Sequence, residues 1–293
     1  MPELPEVETV ARGLDRRVKG DVIESVWLGS KPEPLKSPAA EIAATLESKK
    51  ITGVRRVGKH IVIDLEKSVG RALLPAKGRQ RNKGGQIKGK TEMPEDHAQW
   101  LVHLGMTGRM LVCEADEEVA KHTHAIAKLK SGRELRFVDP RRFGRLSVTQ
   151  GFEAAGSEPL EVELEKFVQL FHGRKTSIKS ALLNQKLLSG VGNIYADESL
   201  FRSGIRPKRR ASSLSKEDLR RLYLALREVL KEAIKLGGSS VSDYVDSDGE
   251  EGFFQLQHRV YGREGEPCLV CKTPIKRVVI GGRSSHYCPK CQK

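Results

Sequence analysis

Residues 268–291 read CLVCKTPIKRVVIGGRSSHYCPKC: two Cys-x2-Cys pairs, Cys268/Cys271 and Cys288/Cys291, separated by 16 residues. Two thiolates three positions apart on a tight turn can share one tetrahedral ion, and a second such turn closes the shell. Between the pairs, Val278, Val279 and Ile280 followed by Gly281-Gly282 read as a β-hairpin that returns the second pair to the first. The spacing predicts one structural Zn2+ held by all four thiolates, with no open position for chemistry. A pair of disulfides is the competing arrangement, and a reducing compartment disfavours it. The fifth cysteine, Cys113, stands alone among apolar neighbours and reads as a small buried hydrophobe.

Working back from this hairpin, the chain changes character twice. Residues 239–257 are irregular and read as a mobile connection carrying Tyr244, Phe253 and Phe254. Before them the apolar periodicity is helical, over Leu160–Phe171, Ser177–Leu183, Ile194–Ser203 and a longer run from Lys216 to Leu236. Ser215 is the expected N-cap of that last helix, and Gly237-Gly238 its end. Ahead of Gln150 the runs are of strand type: Val22–Trp27, Ile51–Val57, His60–Leu65, Leu101–Leu104, Arg109–Cys113, His124–Leu129 and Glu134–Val138. A short helix with Pro5 at its start precedes them, presenting Val7, Val10 and Leu14 on one face. The expected fold class is α+β: a β-sandwich or flattened barrel over 1–150, a helical region over 151–257 and a zinc hairpin over 258–293. Residues 68–98, rich in Gly, Lys, Gln and Arg, read as a long inserted surface loop between two strands.

Composition excludes several classes. The chain has 293 residues, room for about two ordinary domains, and 38% hydrophobic with 31% charged residues is a folding rather than a disordered mixture. No run approaches the roughly 18–20 apolar residues of a membrane helix, so no membrane association is expected. The start, MPELPEVETV, has neither the basic nor the apolar region of a secretory signal, and the cytoplasm is the expected compartment. Fifty-two Lys and Arg against 38 Asp and Glu leave a formal charge of +14. The excess is gathered in patches: residues 71–90 carry seven basic and no acidic side chains, 172–211 nine against two, and 258–293 eight against two. Patches of one sign are the footprint of a polyanion binder; a solvated basic surface serving only solubility competes with that reading.

Two places can carry chemistry. Leu188-Ser-Gly-Val-Gly-Asn193 lies between two short helices with Arg174, Lys175, Lys179 and Lys186 upstream. Its glycines permit close backbone approach, and the next helix opens with N–H groups that suit a phosphate; a plain helix–helix corner is the alternative. At the N-terminus, removal of Met1 would expose Pro2 as a secondary amine. An α-amino group, with a reference pKa of about 8, is partly neutral at pH 7 and can attack an aldehyde-level sugar carbon. Glu3 and Glu6 stand beside it as acid–base partners, or as ordinary helix-start residues.

Seven motifs then converge: MPELPEVET, Gly58-Lys59, HLGMTG at 103–108, DPRRFG at 139–144, LSGVGNIY at 188–195, YGREGEPC at 261–268 and GRSSHYCPKC at 282–291. In this order the chain resembles the formamidopyrimidine-DNA glycosylases, along its whole length. The resemblance implies a base-excision-repair enzyme that removes oxidised purines (8-oxoguanine, formamidopyrimidines) from double-stranded DNA and then cuts the strand as a lyase. It implies a monomer with a helix–two-turns–helix motif in the helical region and a zinc finger beyond it. Pro2 would attack C1′ and form a Schiff base, Glu3 would act as general acid/base, Lys59 would give the proton in β-elimination, and Arg283 would bind the flanking phosphates and assist δ-elimination. His122, Arg141, Arg174, Lys179 and Asn193 would hold the DNA backbone, with Met106 and Phe143, beside Arg141, wedged into the gap left by the flipped nucleotide. Residues 239–257 would close over the everted base. A plain reading stands beside each: Lys59 as an exposed strand lysine, Met106 and Phe143 as core. Two other functions compete. The related endonuclease VIII type prefers oxidised pyrimidines and usually starts Pro-Glu-Gly-Pro-Glu, where this chain has Leu4. A non-catalytic DNA-binding zinc protein is the other, and intact Pro2, Glu3, Lys59 and Arg283 speak against it.

Overall fold

Pro5 at the second helical position loses no hydrogen bond there and presets φ, so the chain enters helix α1 (Leu4–Val18) almost at once. Its buried side chains, Leu4, Val7, Val10, Ala11, Leu14 and Val18, recur at helical spacing and form one stripe. The computed structural model describes residues 1–68, 97–241 and 244–293. After α1 come β1 (Ile23–Leu28), α2 (Ala39–Leu46), β2 (Lys49–Val57), β3 (His60–Lys67), β4 (His97–His103), β5 (Arg109–Glu114), β6 (Thr123–Leu129), β7 (Arg133–Val138) and β8 (Arg145–Thr149).

These strands make two four-stranded antiparallel sheets, ordered β1-β6-β7-β5 and β2-β3-β4-β8. Strand alternation sends Ile61, Ile63 and Leu65 of β3 and Trp100 and Val102 of β4 inward, against Ala125, Ala127, Leu135 and Phe137 of the other sheet. The α1 stripe from Val7 onward completes this core. The architecture is a sandwich.

The second core is helical: α3 (Leu164–Phe171), α4 (Ile178–Leu182), α5 (Asn193–Arg202) and α6 (Lys216–Lys235). Ser215 caps α6 as the sequence suggests, its hydroxyl accepting from the Asp218 amide at 3.0 Å while Asp218 accepts from the Ser215 amide at 3.1 Å. Gly237 and Gly238, at φ +76 and +85, end it. Leu4 belongs to this core while Val7 belongs to the sandwich, so α1 pins the two together. The hairpin of β9 (Lys276–Ile280) and β10 (Arg283–Tyr287) carries the third, small core around Cys268 and Cys288.

Some local readings need correction. Helix α2 and strand β8 were not expected. Strand β4 starts at His97, so His97 and Ala98 are strand rather than the tail of an insert; residues 69–96 of that insert lie outside the described residues. The expected helix from Leu160 begins only at Leu164, because 158–162 form a separate turn closed by Val162 N–H donating to Glu158 O at 2.8 Å.

Candidate active site

The site is built around the third residue. Glu3 is the N-cap of α1, and its amide donates to Glu6 Oε2 at 2.8 Å. Its carboxylate crosses to the start of α5, accepting from the Ile194 amide at 3.1 Å and the Tyr195 amide at 3.4 Å. A helix N-terminus favours negative charge, so the first turn of α5 holds this carboxylate in place. Gly192 lies directly beneath: a Cβ there would sit 2.2 Å from Glu3 Cδ. Gly190, at φ +89, accepts at its carbonyl from Leu4 N–H at 3.0 Å. The glycine turn therefore receives the chain's own N-terminal residues. Two of the α5 N–H groups that the sequence offers to a phosphate, those of Ile194 and Tyr195, are occupied by Glu3.

Pro2 and Glu3 are both buried. Burial raises the Glu3 carboxyl above its ordinary range, opposed by the nearby Lys59 charge and the two amides. Glu6 is pushed up to about 7 by burial and by the like charge of Glu3, against a hydrogen bond from Tyr195. It accepts from the Tyr195 hydroxyl and, at 2.8 Å, from the Ser239 amide. The charge on Glu3 thus raises Glu6, and the two carboxyls form a coupled pair.

Lys59 rides the turn between β2 and β3, where Gly58 adopts φ +61. Burial lowers its ammonium pKa, Arg283 lowers it further, and Glu3 and Glu6 oppose both. Lys59, Glu3 and Arg283 thus share one electrostatic neighbourhood although they come from the sandwich, α1 and the zinc hairpin. Beside the Lys59 turn a cavity of ≈ 300 Å³ is lined by His60, His103, Phe152, Gln185 and Ser189. The rings of His60 and His103 stand 4.9 Å apart, and burial, with His60 next in effect, brings His103 down to about 4. Neither histidine was singled out from sequence, although His103 opens the HLGMTG motif.

Met106 and Phe143 project from neighbouring loops and are 40% and 52% exposed, against the alternative that they are core residues. The Arg141 guanidinium stacks over Phe143 at 4.8 Å. Asp139 cross-pins the loops: fully buried, it accepts from the Thr107 hydroxyl at 2.5 Å, the Gly144 amide at 2.7 Å and the Arg141 amide at 3.2 Å. That role is invisible in sequence, since both partner loops must first be brought together.

His122, Arg141, Arg174 and Arg283 are exposed, with Arg174 Nε donating to the Leu170 carbonyl at 2.5 Å. Asn193 is half-buried at the start of α5, and its Oδ1 has no partner among the described residues. Lys179 is a correction. Its ammonium is enclosed, donating to Asp197 Oδ1 at 2.6 Å and to Ser284 O at 2.8 Å, so it ties α5 to the zinc hairpin instead of facing a phosphate. Within 239–257, Tyr244 packs into the sandwich core and Phe254 against Tyr195, leaving Phe253 exposed; residues 242 and 243 lie outside the described residues. Asp248 pairs with Arg17 of α1. The described part of this connection ends in a 3-10 turn (Phe254–Gln257) and is fastened to α1 through Tyr244 and Asp248.

The four cysteine sulfurs lie within 4.8 Å of one another, with Cys271 and Cys288 at 3.4 Å and Cys268 and Cys291 at 3.9 Å. A tetrahedron with Zn–S of about 2.3 Å has edges of roughly 3.8 Å, so the set fits one Zn2+ with a closed all-thiolate shell. Glu198 anchors the approach to this hairpin, accepting from the amides of Arg259, Val260 and Tyr261 at 2.9–3.1 Å. No helix among the described residues is long and apolar enough to cross a membrane.

Comparison with known proteins agrees along the whole chain. Residues 1–146 match the formamidopyrimidine-DNA glycosylase N-terminal domain, 155–245 its H2TH domain, and 265–293 the zinc finger found in FPG and IleRS. A formamidopyrimidine-DNA glycosylase of Solibacter usitatus is 43% identical over 303 residues, covering 100% of both chains. That of Bacillus subtilis is 38% identical over 304, covering 100% of this chain and 99% of its own. Among solved structures, the MutM (Fpg) protein of Thermus thermophilus superposes with a TM-score of 0.80 at 39% identity, covering 99% of this chain and 98% of its own. The Lactococcus lactis enzyme bound to N7-benzyl-Fapy-dG DNA superposes with 0.82 at 29% identity, covering 100% of both. The three matched segments, in order and spanning sandwich, helical core and zinc hairpin, place this chain in the formamidopyrimidine-DNA glycosylase family.

Proposed function

We propose that the protein is a base-excision-repair DNA glycosylase and abasic-site lyase that removes oxidised purines from duplex DNA. The observation that carries this is the placement of the buried Glu3 carboxylate, next to Pro2, on the first turn of α5 and within the charge field of Lys59, which in turn lies within that of Arg283. With Met1 removed, the Pro2 lone pair forms a bond to C1′ of an extruded nucleotide as the glycosidic bond breaks and the base departs with that electron pair. Glu3, whose raised pKa lets it hold a proton, delivers it to the sugar oxygen as the ring opens, and the resulting carboxylate takes up the N–H proton of the attached pyrrolidine, leaving the iminium. Lys59 is the proton carrier for the elimination that expels the 3′ phosphate. Arg283, exposed at the zinc hairpin tip, neutralises that phosphate.

The wedge supplies the space for this chemistry. Extruding a nucleotide costs a few kcal/mol, and apolar side chains inserted into the stack offset part of it. Met106 and Phe143, exposed on loops fixed by Asp139, with Arg141 stacked on the latter, are suited to that insertion. His122, Arg141, Arg174 and Asn193 would hold phosphates without reading sequence. Lactococcus lactis relatives solved with abasic-site DNA and with Fapy-dG DNA support this substrate class. One Lactococcus lactis complex contains an oxidised pyrimidine, which makes that lesion the natural comparison substrate.

Borohydride trapping tests the reading. A covalent adduct mapped to Pro2 is expected on duplex with 8-oxoguanine opposite cytosine, and less on duplex with an oxidised pyrimidine. Trapping on the pyrimidine duplex alone would move the chain to the endonuclease VIII type. No adduct on either, with Met1 shown to be absent, would leave a DNA-binding zinc protein.

A further inference from the structure

Arg56 lies on β2, three residues before Lys59, and its side chain is only 6% exposed. Its Nε donates to Glu8 Oε2 at 2.7 Å, and its Nη1 donates both to Glu158 Oε2 at 2.8 Å and to the Gly58 carbonyl at 3.1 Å. Each partner belongs to a different part of the site. Glu8 is on α1, about one and a half turns beyond Glu3. Gly58 is in the turn that presents Lys59. Glu158 follows Ser157, whose N–H donates to Leu187 O at 2.9 Å and whose carbonyl accepts from Ser189 N–H at 3.0 Å, so it is fastened to the glycine turn beneath Glu3. The Lys59 turn touches the same place, since a Cβ on Gly58 would lie 3.2 Å from Ser189 Cβ. A forked, permanently charged guanidinium can serve three such acceptors at fixed angles; an ammonium cannot reproduce that geometry.

We propose that Arg56 is a positioning residue for strand cleavage, holding the Lys59 turn at a fixed place relative to Glu3 through Glu8 and Glu158. It acts through the Gly58 carbonyl. The inference rests on the role of Lys59 given under the proposed function, and it adds a residue that none of the seven motifs contains.

The test compares wild type, Arg56→Lys and the double variant Arg56→Met/Glu158→Gln, which removes one buried carboxylate charge along with the cation. Two quantities are measured: affinity for duplex carrying a tetrahydrofuran abasic analogue, and single-turnover cleavage of a true abasic duplex. Affinity is expected to stay within about threefold, while cleavage slows about 100-fold in the double variant and about tenfold in Arg56→Lys, the scale of a displacement of roughly 1 Å. Cleavage within twofold of wild type in Arg56→Lys, or affinity and cleavage falling in parallel, would overturn the proposal. If the double variant does not fold, Arg56→Lys alone decides. Wild-type protein that neither traps nor cleaves would overturn the functional reading and this inference with it; active wild type beside unaffected variants would overturn only the inference.

Discussion

At the scale of single residues, the site depends on positions where no other atom fits. In Gly192→Ala the new methyl would lie 2.2 Å from Glu3 Cδ, so the carboxylate must leave the α5 amides. Borohydride-trapped adduct should fall about 100-fold, and unfolding titrations should show a loss of about 1–3 kcal/mol from overpacking. Glu6 makes a pH prediction. Its folded pKa of about 7 exceeds the ordinary 4.5, so the native state keeps a proton that the unfolded chain releases. The stability this gives is fully present below pH 4.5 and is lost as pH rises through 7, a decline of about 3 kcal/mol from this group. Melting measured between pH 4.5 and 7.5 should show that decline, and Glu6→Gln should flatten it. An equal slope in the variant would refute the assignment. The resemblance pointed to Pro2 and Glu3 from nine residues of sequence. It gave no sign that Glu6 meets Tyr195 and Ser239, which lie 189 and 233 positions away.

At the scale of elements, legibility followed periodicity. Helix α6 and most strands were readable because alternation and helical spacing ran through them undisturbed. Helix α2 was missed because its buried residues, Ile42 and Leu46, make only one apolar ridge in an alanine-rich stretch. The front of β4 was missed because Ala98, Gln99 and Trp100 are all buried, which erases alternation. The burial of Tyr244 and Phe254 within 239–257 is not legible in the sequence, since these aromatics are anchored by α1 and α5 and by no local repeat. The zinc hairpin was the most legible element, since its four ligands lie within 24 residues. Its core is separate from the other two, so removing zinc with a chelator should abolish DNA cleavage while most of the far-UV circular dichroism persists. On protein not treated with chelator, a thiol-modifying reagent should release one zinc per chain. Global unfolding on chelation would show that the three cores are not independent.

At the scale of the whole molecule, +14 net charge and exposed cations on several loops favour association with a polyanion, and that association should weaken with salt. Arg174→Ala, removing an exposed guanidinium, should reduce the slope of log K against log salt by about 1. Lys179→Met should leave that slope unchanged and lower the melting temperature, because it strands the buried Asp197. A reduced slope in the lysine variant would mean that its ammonium does reach a phosphate. Sequence alone showed where the charge lies but not which cations face outward, because the Asp197 that claims Lys179 is 18 residues further on. The pairing of Glu3 with α5 also sets an order of events in synthesis. Glu3 is among the first residues translated, and its partner amide at Ile194 is 191 residues away. At about 5–20 residues per second, the ribosome takes roughly 10–40 seconds to supply it. A nascent or truncated chain that stops at the sandwich carries Pro2 and Glu3 without the helix that seats the Glu3 carboxylate, so this part of the site is assembled only after the helical half has emerged.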